Sequence, residues 1–205
     1  MSFLSDSEKQ VIRDAIGKIE RKTRGELVTV IAREADDYLY IPVLWAALLA
    51  LLVPALVSLL ERPDWQAHTY SIQITSFILL AVLFRHPVIK MRLIPSWVKR
   101  QRSHRVALEQ FLIQNLHATE ERTGILLFVS VAEHYVEILA DKGINDVVDA
   151  DAWDNIIRAF VIQVKNKQIA DGFVQAITSC GELLEAHFPA HAINNNELPD
   201  KLIEI

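Results

Sequence analysis

Five aspartates and two asparagines crowd one short stretch of this chain: Asp141, Asn145, Asp146, Asp149, Asp151, Asp154 and Asn155. Hard divalent cations such as Ca²⁺ and Mg²⁺ take several carboxylate and carbonyl oxygens from flexible loops. Asp141, Asp149 and Asp151 are therefore the candidate ligands of a divalent cation. Plainer roles fit the same residues. Asp141 can sit in the turn that ends a strand, Asp151 can cap a helix, and the others can face water. The triplet Asp149-Ala150-Asp151 lacks the glycine and distal glutamate of an EF-hand loop.

Other familiar constellations are missing from the sequence. It contains no GxGxxG or GxxxxGK[ST] to cradle phosphates and no GxSxG, HExxH or CxxC. The seven histidines are scattered. His187 and His191 are four apart, but Pro189 between them breaks the helix face that a metal pair would share. The single cysteine, Cys180, falls on the apolar face of a predicted helix and reads as a small core residue.

The longest feature that must position these residues is apolar. Ile41 to Leu60 carries no charge, and Tyr70 to Phe84 is also uncharged. A helix needs about 20 apolar residues to cross a bilayer. The two runs are joined by the polar turn Glu61-Arg62-Pro63-Asp64-Trp65-Gln66, so the pattern predicts a transmembrane hairpin. Tyr38, Tyr40, Trp45, Trp65 and Tyr70 flank it where aromatic rings favour headgroups. Pro54 should kink the first span. The second span is shorter and calls for tilt, local thinning or snorkelling by Arg85 and Lys90. Lys and Arg are dense on both flanks, whereas the turn holds only Arg62. The positive-inside rule then predicts a multi-pass protein of the cytoplasmic (inner) membrane with both termini cytoplasmic. Met1 to Lys18 lacks the apolar core of a signal peptide, so the hairpin itself is expected to direct insertion.

The chain has 205 residues, 51% hydrophobic, and a net charge of −5. Outside the hairpin about 160 residues remain, enough for one domain with its own core. Ser5 and Glu8 form a capping box for a helix carrying Ile12, Ile16 and Ile19 and ending near Gly25. Glu26–Ala32 reads as a strand. After the hairpin, 87–98 reads as an interfacial segment with Lys90, Arg92 and Trp97. A helix from about Ser96 shows the apolar stripe Leu108, Phe111, Leu112 and Leu116. Its basic first turns suit anionic lipid. Nucleic acid is excluded as a partner: the basic residues track the membrane boundary and no aromatics are interleaved with them.

Ile125–Val131 is apolar on both faces, as in a central strand. Glu133-His134 serves as a turn into the alternating strand Tyr135–Ala140. Trp153, Ile156, Ile157, Phe160, Val161 and Val164 mark an amphipathic helix capped by Asp151. Phe173, Ala176, Ile177, Cys180, Leu184 and His187 mark a last one ended by Pro189. The strand before the hairpin must join those after it, because a two-stranded sheet is unstable alone. The predicted organisation is 1–37 first helix and strand, 38–86 transmembrane hairpin, 87–98 interfacial segment, 99–189 the rest of the soluble domain, and 190–205 a loose tail.

Arg122-Thr123-Gly124-Ile125-Leu126-Leu127-Phe128-Val129-Ser130, Val136-Glu137-Ile138, Asp141-Lys142-Gly143-Ile144, Trp153, Gly172-Phe173 and Phe188-Pro189 together resemble the TPM-domain family. That family includes thylakoid-lumen proteins of photosystem repair and bacterial membrane-associated proteins. The resemblance covers Thr119 to Pro189 and extends less closely to Ser5–Ala32. It implies an α+β fold, an α-β-α layered domain with a small central sheet, here interrupted by the two-helix hairpin. The family is also called phosphatase-like, because acid phosphatase activity is attributed to some members. This sequence replaces the family's glycine-rich turn, often Gly-Tyr-Gly, with Ala140-Asp141-Lys142-Gly143, so no catalytic residue is carried over. Two functions follow as expectations. One is a non-enzymatic, membrane-tethered adaptor or assembly and maintenance factor with a membrane-protein partner. The other is a weak metal-assisted acid phosphatase using the acidic loop.

Overall fold

The structure is a computed structural model that describes residues 3–59, 68–190, 198 and 202–205. The polar turn Glu61–Gln66, His191, Asn194–Asn196 and Pro199 lie outside the described residues. The chain divides into two compact units, residues 1–35 with 102–205, and residues 36–101.

The first unit begins with α1 (Asp6–Glu20). The Glu8 N–H donates to Ser5 Oγ at 3.3 Å and the Ser5 N–H donates to Glu8 Oε2 at 2.8 Å, completing the capping box. α1 stops at Glu20, with Arg21 as its cap, and does not run on to Gly25. Gly25 is not a left-handed helix terminator. It is needed for space, since a Cβ there would lie 2.7 Å from Leu184 Cδ1.

A mixed four-stranded sheet follows, built from β1 (Glu26–Ala32), β2 (Gly124–Ser130), β3 (Tyr135–Ala140) and β4 (Leu202–Glu204) in the order β3-β2-β1-β4. β1 runs parallel to β2, with Glu26 opposite Gly124 and Ala32 opposite Ser130. The expectation that β1 joins strands beyond the apolar segment holds. β2 and β3 are antiparallel, but their connection has four residues, Val131 to His134, instead of two. The N–H groups of Val131 and Ala132 donate to the carbonyls of Ala32 and Arg33 at 3.0 and 3.1 Å. The chain thus keeps company with β1 before reversing through His134, whose φ is 53°.

β4 corrects the expectation of a loose tail over 190–205. Leu202–Glu204 pairs parallel with β1, the Ile205 N–H donates to Ile31 O at 3.0 Å, and the Arg33 N–H donates to Ile205 O at 2.8 Å. Without β4, one edge of β1 would expose a row of unpaired backbone groups, and Leu202 and Ile203 are apolar enough to cover it.

Alternate side chains of the sheet enter two cores. Leu27, Ile31, Ile125 and Leu127 pack with Ile12 and Ile16 of α1, with Trp153, Ile156 and Phe160 of α8 (Ala150–Lys165), and with Phe173, Ile177 and Leu184 of α9 (Ile169–His187). Phe160 and Phe173 meet edge to face with centroids 5.1 Å apart. Val28, Val30, Leu126 and Phe128 pack on the other face against Ala107 and Phe111 of α6 (Ser96–Ile113) and against Leu116. The first unit therefore has an α-β-α layering. Both long C-terminal helices follow their predicted stripes, except that His187 is exposed. On α6 the buried line is Ser103, Ala107 and Phe111, whereas Leu108 and Leu112 are 44% and 55% exposed. The predicted stripe is rotated by one residue, because the small Ser103 and Ala107 let the helix approach the sheet.

In the second unit, α2 (Tyr40–Leu51) and α3 (Val53–Leu59) form one apolar run broken at Leu52, two residues before Pro54. The proline lacks the N–H that would reach back to Ala50. The Leu52 N–H instead donates to Leu49 O at 3.1 Å. Both helices pack against α4 (Thr69–Phe84), and Ala46, Ala50 and Val57 are buried. One run, Tyr40–Leu59, is long and apolar enough to cross a membrane. α4 has 16 residues and turns through 100° into α5 (Pro87–Leu93).

Candidate functional site

At the end of the sheet where β1 and β2 begin, four charged side chains form two ion pairs. Arg24 donates through Nη1 to both carboxylate oxygens of Glu121. Arg122 Nε donates to Asp141 Oδ2 at 2.6 Å and its Nη2 to Oδ1 at 2.9 Å. The planar guanidinium fork matches a carboxylate in this two-bond geometry. Asp141 is the N-cap of α7 (Lys142–Asn145) and also accepts from the Lys142 N–H at 2.7 Å. Its carboxylate is buried, while Arg122 is more than half exposed. Hydrogen bonding to Asp141, then its charge, raises the Arg122 pKa above the ordinary guanidinium value.

The surrounding sequence serves this corner. Arg122 sits in the left-handed region at φ 58°. A Cβ on Gly143 would lie 2.6 Å from Glu121 O and 2.7 Å from Arg122 O, and one on Gly124 would lie 2.2 Å from Leu116 O. Thr123 Oγ1 donates to Arg24 O at 2.9 Å, tying the starts of β1 and β2 together. Arg122-Thr123-Gly124 and Asp141-Lys142-Gly143 are thus two halves of one packed junction.

The predicted acidic ligands take separate local roles. Asp141 is held by Arg122. Asp149, not Asp151, occupies the N-cap position of α8, without a side-chain cap bond, and Asp151 lies in the first turn. Both are exposed. Among the described residues, no group of three or more His, Cys, Asp or Glu side chains gathers where it could hold a metal ion.

At the opposite end of the parallel strands lies a cleft of about 510 Å³ that sequence reasoning missed. Ile31, Val129, Val131, Val136, Phe160 and Val164 give it an apolar lining, with Lys165 and His134 exposed at its rim. Its polar members point into other bonds. Ser130 Oγ donates to Glu133 Oε2, and Glu133 Oε1 accepts from the Ala35 N–H at 3.0 Å. Tyr135 Oη donates to Glu137 Oε2 at 3.0 Å, and His104 Nδ1 lies 2.8 Å from Glu137 Oε1. The cleft suits apolar contact more than proton transfer. Its only advance signal was the run of half-buried valines on α8, which means little until the strands are placed. Cys180 is fully buried and burial pushes its thiol up to about 12, so it is no nucleophile at neutral pH.

Residues 93–183 match the family model of the TPM domain. Over that stretch the chain is similar to the TPM-domain family. The match runs from the end of α5 through α6, β2, β3, α7 and α8 into α9. The two halves of the Arg122–Asp141 junction both fall inside the match, and α1, β1 and β4 complete the fold from outside it. No curated protein matches the chain. The chain is similar in fold to the NMR structure of BA42 protein from the psychrophilic bacterium Bizionia argentinensis, with a TM-score of 0.64 and 22% identity over 100% of this chain and 97% of that one.

Proposed function

We propose that this protein is a membrane-anchored TPM-domain protein of a bacterial inner membrane, acting as a non-enzymatic adaptor in assembly or maintenance of a membrane-protein complex. The observation that carries the reading is the outward-facing apolar surface of the second unit. Only 28% of the most apolar stretch of Tyr40–Leu59 is buried. Leu44, Leu48, Leu52, Leu56 and Leu59 are exposed, as are Ile74, Ile78, Leu79, Val82 and Leu83 on α4. Soluble monomers rarely expose contiguous apolar patches beyond a few hundred Å², and hydrocarbon is the solvent that suits this one.

In this reading α2, α3 and α4 form a two-span hairpin. α4 extends only about 24 Å at helical rise, so it crosses with local thinning and with Arg85 and Lys90 snorkelling. The Lys and Arg asymmetry across the apolar runs supports cytoplasmic termini. The adaptor role follows from the chemistry available. Asp141 is occupied by Arg122, and the Ser130 hydroxyl at the cleft is buried and held by Glu133, itself buried, which leaves the cleft an apolar surface. Alkaline carbonate washing of membranes tests the anchor, and the protein should stay in the pellet. A reporter fused after Ile205 that is active only in the periplasm should be silent. Crosslinking in intact membranes should trap a membrane protein. Phosphatase turnover by purified protein with Mg²⁺ or Ca²⁺, abolished in Asp141→Ala, would replace the adaptor reading with an enzymatic one.

A further inference from the structure

The cleft at the C-terminal ends of β1 and β2 joins an apolar wall to a basic rim. Ile31 and Val129 form its sheet side, and Phe160 and Val164 of α8 form its helix side. The two hydroxyls in the lining are engaged elsewhere, Ser130 with Glu133 and Tyr135 with Glu137. Water inside therefore finds few partners, whereas a buried water normally makes about three hydrogen bonds. The volume is about 510 Å³. At ~30 Å³ for each water-sized group, it takes a chain of a dozen or so carbons with its head. Among the described residues no aspartate or glutamate lines the cleft, and Glu133 beside it is turned to Ser130 and the Ala35 N–H. Lys165 and His134 do line it, and both are exposed. Neither side chain has a hydrogen bond or ion pair among the described residues. Both stand at tight turns: His134 itself lies at φ 53°, and Lys165 ends α8 two residues before Lys167 at φ 64°. The backbone thus fixes where each side chain leaves the fold.

We infer that the cleft binds one fatty-acid anion of medium chain length, its tail between the sheet and α8 and its carboxylate at the rim with Lys165 and His134. The inference goes beyond the adaptor reading and does not depend on α2–α4 crossing a bilayer, because every lining residue belongs to the first unit. An uncharged apolar molecule would use the wall and leave the basic rim idle. A free inorganic anion would use the rim and gain nothing from the wall. One lysine ammonium and one imidazole, which offers an N–H donor in either protonation state, match a single carboxylate. A two-chain phospholipid brings more hydrocarbon than the volume takes. Each methylene buried should tighten binding about fourfold, and the rim should favour a carboxylate over an alcohol by about fivefold.

The test uses the full chain in digitonin, which has no acyl chain to compete, and a dodecanoate carrying a mid-chain diazirine. After photolysis the labelled peptides are mapped by mass spectrometry. Label should fall on Val129–Val136 and Phe160–Lys165. Unlabelled dodecanoate should protect those peptides at concentrations more than tenfold below octanoate and about fivefold below dodecanol. His134→Asn with Lys165→Gln should bring dodecanoate and dodecanol within about twofold of each other while the label stays in the cleft; asparagine is chosen because it accepts the left-handed backbone. Lys165→Arg should keep most of the preference, and Arg13→Gln with Lys18→Gln on α1 should leave it unchanged. Val164→Trp, at an unchanged melting temperature, should remove the cleft label; if that variant does not fold, the rim variants decide the matter. Label confined to α2–α4, octanoate protecting as well as dodecanoate, or a folded Val164→Trp that still labels the cleft would overturn the site. Equal protection by dodecanol, an unaffected rim variant, or an equal loss from the α1 pair would overturn the carboxylate at the rim. Matching protection by phosphatidylglycerol would overturn the single chain as its occupant.

Discussion

Arg122 reaches Asp141 through both arms of its guanidinium, at 2.6 and 2.9 Å, from a backbone held at φ 58°. The two residues stand on opposite flanks of the β2–β3 pair, and the Asp141 N–H donates to Gly124 O at 2.9 Å beside them. The fork thus closes the open end of the hairpin and fixes the start of α7. A left-handed backbone is costly for any residue with a Cβ, so the ion pair and the packing around Gly143 must over-determine it.

Asp141→Ala should lower stability by about 2 kcal/mol, from loss of a helix cap and a charge-assisted acceptor. Arg122→Gly should be milder than Arg122→Ala by about 1 kcal/mol, because only glycine relieves the left-handed strain. Thermal unfolding of the three variants in one detergent gives the order. If Arg122→Ala is the milder of the two, the backbone is not strained as described.

Added Ca²⁺ or Mg²⁺ should leave the melting temperature unchanged. Arg122 already holds both oxygens of Asp141, and Asp149 and Asp151 sit one turn apart or less at the exposed start of α8. A cation bound only by the folded state at a hundredfold excess over Kd would add about 2.7 kcal/mol, a shift easily seen by calorimetry. Such a rise, absent from Asp141→Ala, would restore the acidic loop as a metal site.

Ile31→Asp, or Val28→Asp on the other face, should destabilise the first unit although the match to the TPM-domain family begins far beyond both residues. Ile31 is fully buried opposite Val129 and Val28 is nearly so opposite Leu126. An unpaired carboxylate there costs several kcal/mol or is forced to protonate. Limited proteolysis should cut the Thr123–Pro189 region faster in either variant, and unchanged resistance would mean that β1 is dispensable to the sheet.

What the sequence made legible was local. The Ser5–Glu8 box, the alternation of Tyr135–Ala140 and the stripe from Trp153 to Val164 each encode their element within a few residues, and each is present. Features set by distant partners were not legible. β4 is three residues long and takes its identity from the free edge of β1. The α6 register depends on how closely Ala107 can approach Phe128. The apolar cleft needs β1, β2, α8 and the start of α9 together before it exists. The acidic run allowed two readings, convergence on a cation or separate local roles, and sequence proximity could not choose between them; in the fold Asp149 sits at a helix cap position, Asp151 in the first turn and Asp141 in an ion pair.

Cys180 supplies the last test, with a defined pH sign. It is fully buried on α9, and burial raises its thiol from 9.0 to about 12. A raised folded pKa favours the folded state fully below the unfolded value near 9 and progressively less as pH climbs toward 12. Stability should therefore be insensitive to this group at pH 7 to 8 and should decline above pH 9, and Cys180→Ala should flatten that part of the decline while creating a small cavity. In the folded protein at pH 8 a thiol reagent should label Cys180 at least tenfold more slowly than in urea, since thiolate is the reacting species and the site is closed to solvent. Labelling at the same rate with and without denaturant would show that α9 opens readily from the sheet, and that the core around Ile19, Phe173 and Leu184 is not the closed layer described above.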